Sequence, residues 1–184
     1  MTDYGPLLVR IAARAAEDEP MLPLASRPGP LGAAELDLAE RRLGFPLHPL
    51  LRAVYRTFAN GGFGPDYQLF SLIGGPTAEQ SVDVYLANRS AGAGTHWAWP
   101  EGVLPVLSWG CGMYACVDCR SEQGTVLLFE PNPGDPDLAW YIDAPSLEMW
   151  FDGYVSRTGW WDKLEDGDEP DLQPWPDFKV RASG

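Results

Sequence analysis

Apolar residues recur every three to four positions in five segments of the chain, a spacing that places them on one face of an α-helix. The segment PLLRAVYRTF has the cleanest such face, with His48 as the expected N-cap and Pro49 in the first turn. It stops at Asn60-Gly61, residues that readily adopt the left-handed conformation of a helix end. The predicted helices cover residues 4–16, 33–43, 49–58, 78–88 and 147–154.

Apolar runs bounded by Gly, Pro, Asn and Asp predict five strands. The first, YQLFSLI, follows the helix stop directly, and the other four follow one another with short turns, so consecutive strands are expected to pair antiparallel. This order predicts an α+β fold, in which a mixed or antiparallel sheet of about five to six strands has helices packed on one face. The predicted strands cover residues 67–73, 103–109, 113–119, 125–130 and 138–142.

The length of 184 residues fits one domain. We predict a single domain over residues 1–160, with a core at about 31–157 and an N-terminal helical extension at 4–16. Residues 161–184 form an acidic tail that contains tryptophan, which either extends into solvent or docks back on the body; its aromatic residues favour docking. Since no signal peptide and no apolar run of about 20 residues is found, we expect a soluble, cytoplasmic protein.

Negative charge is concentrated in the second part of the chain. Residues 1–60 hold 7 basic and 7 acidic residues, whereas residues 61–184 hold 6 basic and 19 acidic ones, so the net charge of −13 arises there. Phosphate binding needs clustered Lys and Arg, which argues against direct nucleic acid and membrane partners. The charge suits a basic protein partner, although an acidic surface can also serve solubility alone.

Three cysteines lie close together in GCGMYACVDC, which raises the question of a metal site. In a strand Cys116 and Cys119 point to opposite faces, and only two histidines are available to complete four zinc ligands. We therefore interpret the cysteines as packed hydrophobic residues and predict no metal and no cofactor.

Several motifs together resemble the SUKH superfamily, the SMI/KNR-like domain. The first is the helix ELDLAERRLG followed by the link FPLHP, and the second is the helix LLRAVYRTFANGG. The third is WGCGMYACVDC leading to GTVLLFE, and the closing SLEMWFDGYV is similar to the family's final helix. The resemblance covers residues 31–157 in the family's order.

The resemblance implies an α+β fold without a catalytic centre. Bacterial members are immunity proteins that neutralise a toxin domain, often a nuclease, whereas fungal members are interaction modules in cell-wall regulation. Carried over by position, Leu43 and Gly44 end a helix, Pro46 sets the link, and Asn60 and Gly61 cap the next helix. All of these roles are structural.

For a toxin-binding protein, loop acids and large aromatic residues are the expected contacts. The candidate partner-binding residues are Asp66, Trp97, Trp99, Glu101, Asp135 and Asp137. The alternatives are ordinary packing for the two tryptophans and a solvated rim for the acids.

Two other functional classes are open at this point. A scaffold or regulatory module without a toxin partner would have the same fold and surface. An enzyme or small-molecule binder could stack a sugar on Trp97, Trp99 and Trp109 or use a carboxylate pair of Asp118 and Glu130 on neighbouring strands. The loop SAGAG lacks the Gly-Lys-Ser/Thr ending of a phosphate loop, which weakens the enzyme hypothesis.

Overall fold

The structure is a computed structural model that describes residues 3–18, 27–77, 79–163 and 171–182. The α-helices are α1 Gly5–Ala15, α2 Ala33–Leu43, α3 Pro49–Thr57, α4 Ser81–Gly92, α5 Leu147–Ser156 and α6 Phe178–Ala182. The strands are β1 Val103–Gly110, β2 Met113–Asp118, β3 Val126–Phe129, β4 Trp140–Ala144 and β5 Gln173–Pro174. Short 3-10 helices cover Pro136–Leu138 and Trp160–Asp162.

The five strands form one antiparallel sheet in the order β1-β2-β3-β4-β5. Each strand pairs with the next one along the chain because the connections are short. The turn from β1 to β2 places Gly110, Cys111 and Gly112 at positive φ, a conformation that glycine adopts without strain. The α+β prediction is confirmed.

The helices bury the apolar faces that their periodicity predicted. In α3 the side chains of Leu50, Leu51, Val54 and Tyr55 are fully buried. Helix α4 packs on β1 and α5 on β4, while α1 packs on α5 and α2 contacts both α3 and α4. Burial of such faces is the main stabilising contribution to a domain of this size.

The prediction of a strand over 67–73 was wrong. The backbone makes isolated bridges at Leu69 and Ser71, but the chain is bent by positive φ angles at Asp66 and Gln68. The amide of Leu69 donates to the carbonyl of Phe63 within the same loop, 2.7 Å away. Some of these backbone groups are satisfied inside the loop, while the amide of Phe70 donates to the Val106 carbonyl of β1 at 2.8 Å, so contact with the sheet edge is limited to isolated bridges.

Thr77 and Gln80 have the spacing of a capping box, which predicts a helix start at Thr77, and this prediction was also wrong. Helix α4 begins at Ser81, and Gln80 is its N-cap residue without a side-chain cap bond. The Thr77 hydroxyl instead accepts a bond of 2.8 Å from the amide of Ser71 and donates to the carbonyl of Glu79. Thr77 thus stabilises the loop before α4.

The described part of the C-terminal region docks on the sheet. Strand β5 pairs with β4, and the rings of Trp175 and Phe178 both lie 5.9 Å from that of Trp140. Trp175 and Phe178 are buried. This agrees with the docking alternative for the tail, although most of its acidic run, residues 164–170, lies outside the described residues.

No helix among the described residues has the length and apolar character needed to cross a membrane.

Candidate protein-binding site

The Asn-Gly-Gly stop after α3 organises the loop that begins the candidate site. The side-chain amide of Asn60 donates to the carbonyl of Ile73 at 2.9 Å, and its oxygen accepts from the amide of Leu72 at 2.8 Å. Gly61 has φ +82°, and a Cβ there would lie 2.5 Å from the Phe70 carbonyl. The junction therefore has a structural role, and it directs the following loop toward α1 and α5.

That loop forms one wall of a cleft of about 390 Å³, here called the polar cleft. The other walls come from the C-terminal ends of α1 and α5 and from the 3-10 helix at Trp160–Asp162. Four carboxylates and two guanidinium groups line it: Glu17, Asp18, Asp66, Asp162, Arg14 and Arg157.

Two of the four carboxylates in the polar cleft are neutralised. Arg14 forms an ion pair with Asp18, and Arg157 forms one with Glu17 at 3.1 Å. In the parts of the chain that the structure describes, neither Lys nor Arg pairs with Asp66 or Asp162. Partial burial, and secondarily the charge of Asp162, raise the pKa of Asp66. The open side of the cleft is therefore negative.

A second depression of about 380 Å³, here called the Asp143 groove, lies between β4 and α5. Three indole rings line it, those of Trp150, Trp160 and Trp161, together with Met149, which is 58% exposed. The Asp143 carboxylate accepts hydrogen bonds from the indole N–H groups of Trp150 at 3.1 Å and Trp160 at 2.9 Å. Burial raises the pKa of Asp143 to about 6, against the effect of those two bonds.

Trp161 lines both the polar cleft and the Asp143 groove, so the two depressions meet at its ring. Trp109 stacks on Trp161 at 5.6 Å and fixes that ring against β1. Tyr67, 57% exposed, directly follows Asp66 of the polar cleft, and its hydroxyl lies near Gly110 at the end of β1. We call the polar cleft, the Asp143 groove and Tyr67 together the Trp161 face.

The sequence-predicted acids fall into two regions. Asp66 belongs to the Trp161 face. Glu101 and Asp137 form ion pairs with Arg120 and Lys179, and Asp135 accepts a bond of 2.9 Å from the amide of Asp137. These three acids satisfy groups of the chain itself, and their role in partner binding stays a prediction.

The two candidate tryptophans also differ. Trp99 is only 4% exposed; its ring lies 4.9 Å from those of Phe129 and Trp140, and its N–H donates to the Val103 carbonyl at 2.8 Å. Trp99 is therefore a core residue and offers no surface to a partner, which corrects its assignment as an anchor. Trp97 is half-buried against the core, and its role as an anchor stays a prediction.

Three groups suited to covalent or acid–base chemistry, Cys116, Cys119 and His48, are engaged in structure. Burial raises the pKa of Cys116, and that of Cys119 to about 12, so both thiols are protonated and weakly nucleophilic at neutral pH. Burial lowers the pKa of His48, whose ring nitrogen Nε2 lies 3.2 Å from the Glu122 carbonyl. His48 is the N-cap residue of α3, but its side chain makes no cap bond.

The predicted pair of Asp118 and Glu130 was wrong. Tyr114 pairs with Phe129, so Glu130 and Asp118 lie at opposite ends of the β2–β3 pair, about 17 Å apart along the strands. Asp118 instead pairs with Arg181 at 2.8 Å. Among the described residues, no group of three or more His, Cys, Asp or Glu side chains could hold a metal ion.

Residues 30–153 match the family model of the SMI1 / KNR4 family (SUKH-1). The chain belongs to this family. The match confirms the resemblance to the SUKH superfamily, whose domains are generally of the non-catalytic, immunity-protein type. No curated protein matches the chain.

The SUKH-1 match ends before the 3-10 helix that completes the Trp161 face. Sequence analysis missed Asp143, Trp161 and Asp162 as site residues. Trp160-Trp161-Asp162 was a visible signal, because adjacent tryptophans beside an acid are unusual outside a core. No such signal marked Asp143, because it directly follows a predicted strand, where an Asp is an ordinary turn residue.

Proposed function

We propose that this SUKH-1 protein is a non-enzymatic immunity protein that binds and neutralises a cognate toxin, and that the Trp161 face is its binding surface. The observation that carries the assignment of the face is the pair Asp66 and Asp162. Both carboxylates line an open cleft without a cationic partner in the described chain, and the charge of Asp162 contributes to the raised pKa of Asp66. Placing like charges together costs folding stability, and binding a basic partner would recover that free energy.

The chemistry of a nuclease toxin suits such a surface. A nuclease presents a basic groove to its phosphodiester substrate. A protein of net charge −13 that places Asp66 and Asp162 over this groove would exclude the substrate, and long-range attraction would speed association. The basic partner thus follows from the charge, and the toxin role follows from the family.

Two aromatic rings beside the acids, one exposed and one half-buried, supply the apolar part of the proposed interface. Tyr67 is 57% exposed, and Trp161 lies between the two depressions. Tyr and Trp are enriched among the residues that dominate binding free energy, because they bury a large area and lose little conformational entropy. Trp109 and Trp150 pack against Trp161 and hold its ring in place before a partner arrives.

Co-expression with the protein encoded next to this chain tests the function. We expect the neighbour to stop bacterial growth when expressed alone and to be harmless with this chain, and the two to copurify as one tight stoichiometric complex. A neighbour that is harmless alone would contradict the proposal. Copurification of several weak partners would instead support the scaffold function.

Variants of the chain test the face. Trp161→Ala with Asp162→Asn should abolish protection in the same growth assay. The control is Leu138→Ala with Asp137→Asn, an exposed pair that makes the same kind of change outside the Trp161 face. If only the control pair lost protection, the interface would lie around Asp137 and Leu138 and not at the Trp161 face. Copurified amounts and urea unfolding of each variant separate loss of binding from loss of folding.

A further inference from the structure

The Asp143 groove combines a carboxylate with aromatic walls. Asp143 accepts one indole N–H bond on each oxygen, from Trp160 on Oδ1 and from Trp150 on Oδ2. A carboxylate has about four acceptor positions, so one remains on each oxygen. Within the described residues, neither Lys nor Arg forms an ion pair with Asp143.

The indole bonds also fix the orientation of the carboxylate. Both donors belong to rings that are packed, since Trp150 lies 5.4 Å from Phe151 and Trp160 lies 4.8 Å from Trp109. The carboxylate therefore cannot turn freely, and its acceptor positions are preorganised. Such a group favours a planar, two-pronged donor over a mobile point charge.

The groove walls suit the same kind of ligand. The half-buried rings of Trp160 and Trp161 lie 5.7 Å apart, and Met149 is exposed at the rim. The negative face of an indole attracts a cation, and guanidinium groups stack on aromatic rings more readily than ammonium groups. A second carboxylate in the groove, Asp152, pairs with Arg10 at 2.7 Å. That pair shows that a guanidinium can bind at this rim.

We propose that the Asp143 groove binds an arginine side chain of the partner protein, with the guanidinium forked on Asp143 and stacked against the half-buried indoles of Trp160 and Trp161. The inference deepens the proposed function by naming the partner's anchoring residue. The polar cleft would attract a basic partner from a distance, whereas the Asp143 groove would recognise one residue at contact. A lysine or an apolar side chain in the groove is the competing occupant.

The test uses the full chain and small probes, so it does not depend on any toxin. The probes are N-acetyl-arginine methylamide, its lysine counterpart and its citrulline counterpart, which keeps the shape of arginine without the charge. The indole N–H signals of Trp150 and Trp160 in ¹H–¹⁵N spectra report the contact. We expect saturable shifts with arginine at a dissociation constant of about 1–10 mM, in the range of one small contact. Binding should be at least fivefold weaker for lysine and absent for citrulline.

Two variants locate the binding. Asp143→Asn should weaken arginine binding at least tenfold. Met149→Arg, at a rim position that is 58% exposed, should weaken it at least fivefold because the added guanidinium competes within the chain. The matched control Glu148→Arg, an exposed neighbour outside the groove lining, makes a larger charge change and should have less than a twofold effect.

Equal shifts with citrulline, tighter binding of lysine, or undiminished binding by Asp143→Asn and Met149→Arg would each overturn the inference. A harmless neighbouring gene product would contradict the immunity function and leave the titration result unchanged. If the chain protects against the toxin but its Asp143 groove does not bind arginine, only the inference about the groove is contradicted. The two proposals therefore fail separately.

Discussion

Two acidic regions of this molecule differ in whether their carboxylates are paired with basic side chains. At the α6 region, which we define by Glu101, Asp118 and Asp137, each acid pairs with a basic side chain of the same chain. Two of the three basic partners come from α6 itself. At the Trp161 face, Asp66 and Asp162 have no such partner among the described residues, and each raises the free energy of the other.

The comparison shows that the number of acids does not decide where negative charge stays unpaired. Both regions are rich in Asp and Glu, and the sequence predicted contacts in both. Ion pairs within the chain neutralise the acids of the α6 region. At the Trp161 face, the charges of Asp66 and Asp162 are not neutralised in this way. Asp118 illustrates the first case, because its side chain is 5% exposed and Arg181 donates to both of its oxygens.

The largest expected effect is on the stability of the α6 region. Arg181→Met should lower the free energy of unfolding by about 3 kcal/mol, because it leaves the buried Asp118 charge without its partner. Lys179→Met is the length-matched control: its pair with Asp137 is exposed, with side chains 73% and 51% accessible, and its loss should leave the free energy of unfolding nearly unchanged. Urea unfolding measures both. Equal effects would refute the distinction between a buried and a solvated ion pair.

The next largest expected effect is on the pH dependence of folding stability, through Asp143 of the Trp161 face. The pKa of Asp143 is about 6 in the folded chain and about 3.9 when unfolded. The folded state thus holds its proton more tightly, so this contribution to stability is complete below pH 4 and is lost as pH rises through 6. Relative to Asp143→Asn, the wild type should lose about 2 kcal/mol between pH 4 and pH 7.

Urea unfolding at several pH values measures this difference, and Asp152→Asn is the control because its carboxylate is exposed in the same groove. A difference between wild type and Asp143→Asn that stays constant with pH would show that Asp143 titrates normally.

A smaller effect is expected on the rate of partner binding. Asp66→Asn with Asp162→Asn should slow association with the cognate toxin about tenfold at low salt, equivalent to about 1.4 kcal/mol. Glu101→Gln with Asp137→Asn removes the same net charge from the α6 region and should slow it less than twofold. Stopped-flow rates at low and high salt measure this, and the difference should vanish at high salt. Similar slowing by both double variants would mean that net charge alone steers the partner.

The smallest expected effect is on folding stability, where two single substitutions should act in opposite directions. Asp66→Asn should stabilise the fold by a few tenths of a kcal/mol, because it relieves repulsion with Asp162 at an exposed site. Asn also tolerates the φ of +36° at this position. Glu101→Gln should destabilise by a similar amount, because Arg120 loses its partner. Thermal unfolding should show opposite shifts of about 1–2 °C; shifts of the same sign would contradict the comparison.

The spacing of apolar residues predicted helices and strands correctly where their structure depends mainly on neighbouring residues in the chain. The helix predicted at 33–43 is found at Ala33–Leu43, and four predicted strands occur within two residues of their predicted ends. The segment at 67–73 failed because an apolar run indicates burial, which a loop can also supply. Trp99 failed for a related reason, since residue type does not tell which face of a sheet a ring covers.

The sequence by itself determined five of the six described α-helices, most of the strands, the family and the excess of acids, because these depend on the order and type of neighbouring residues. Only the tertiary structure decided which acids are neutralised, since Arg181 and Asp118 are 63 positions apart and Lys179 and Asp137 are 42 apart. Coulomb energy depends on distance in space and on solvent exposure, and neither can be read from separation along the chain.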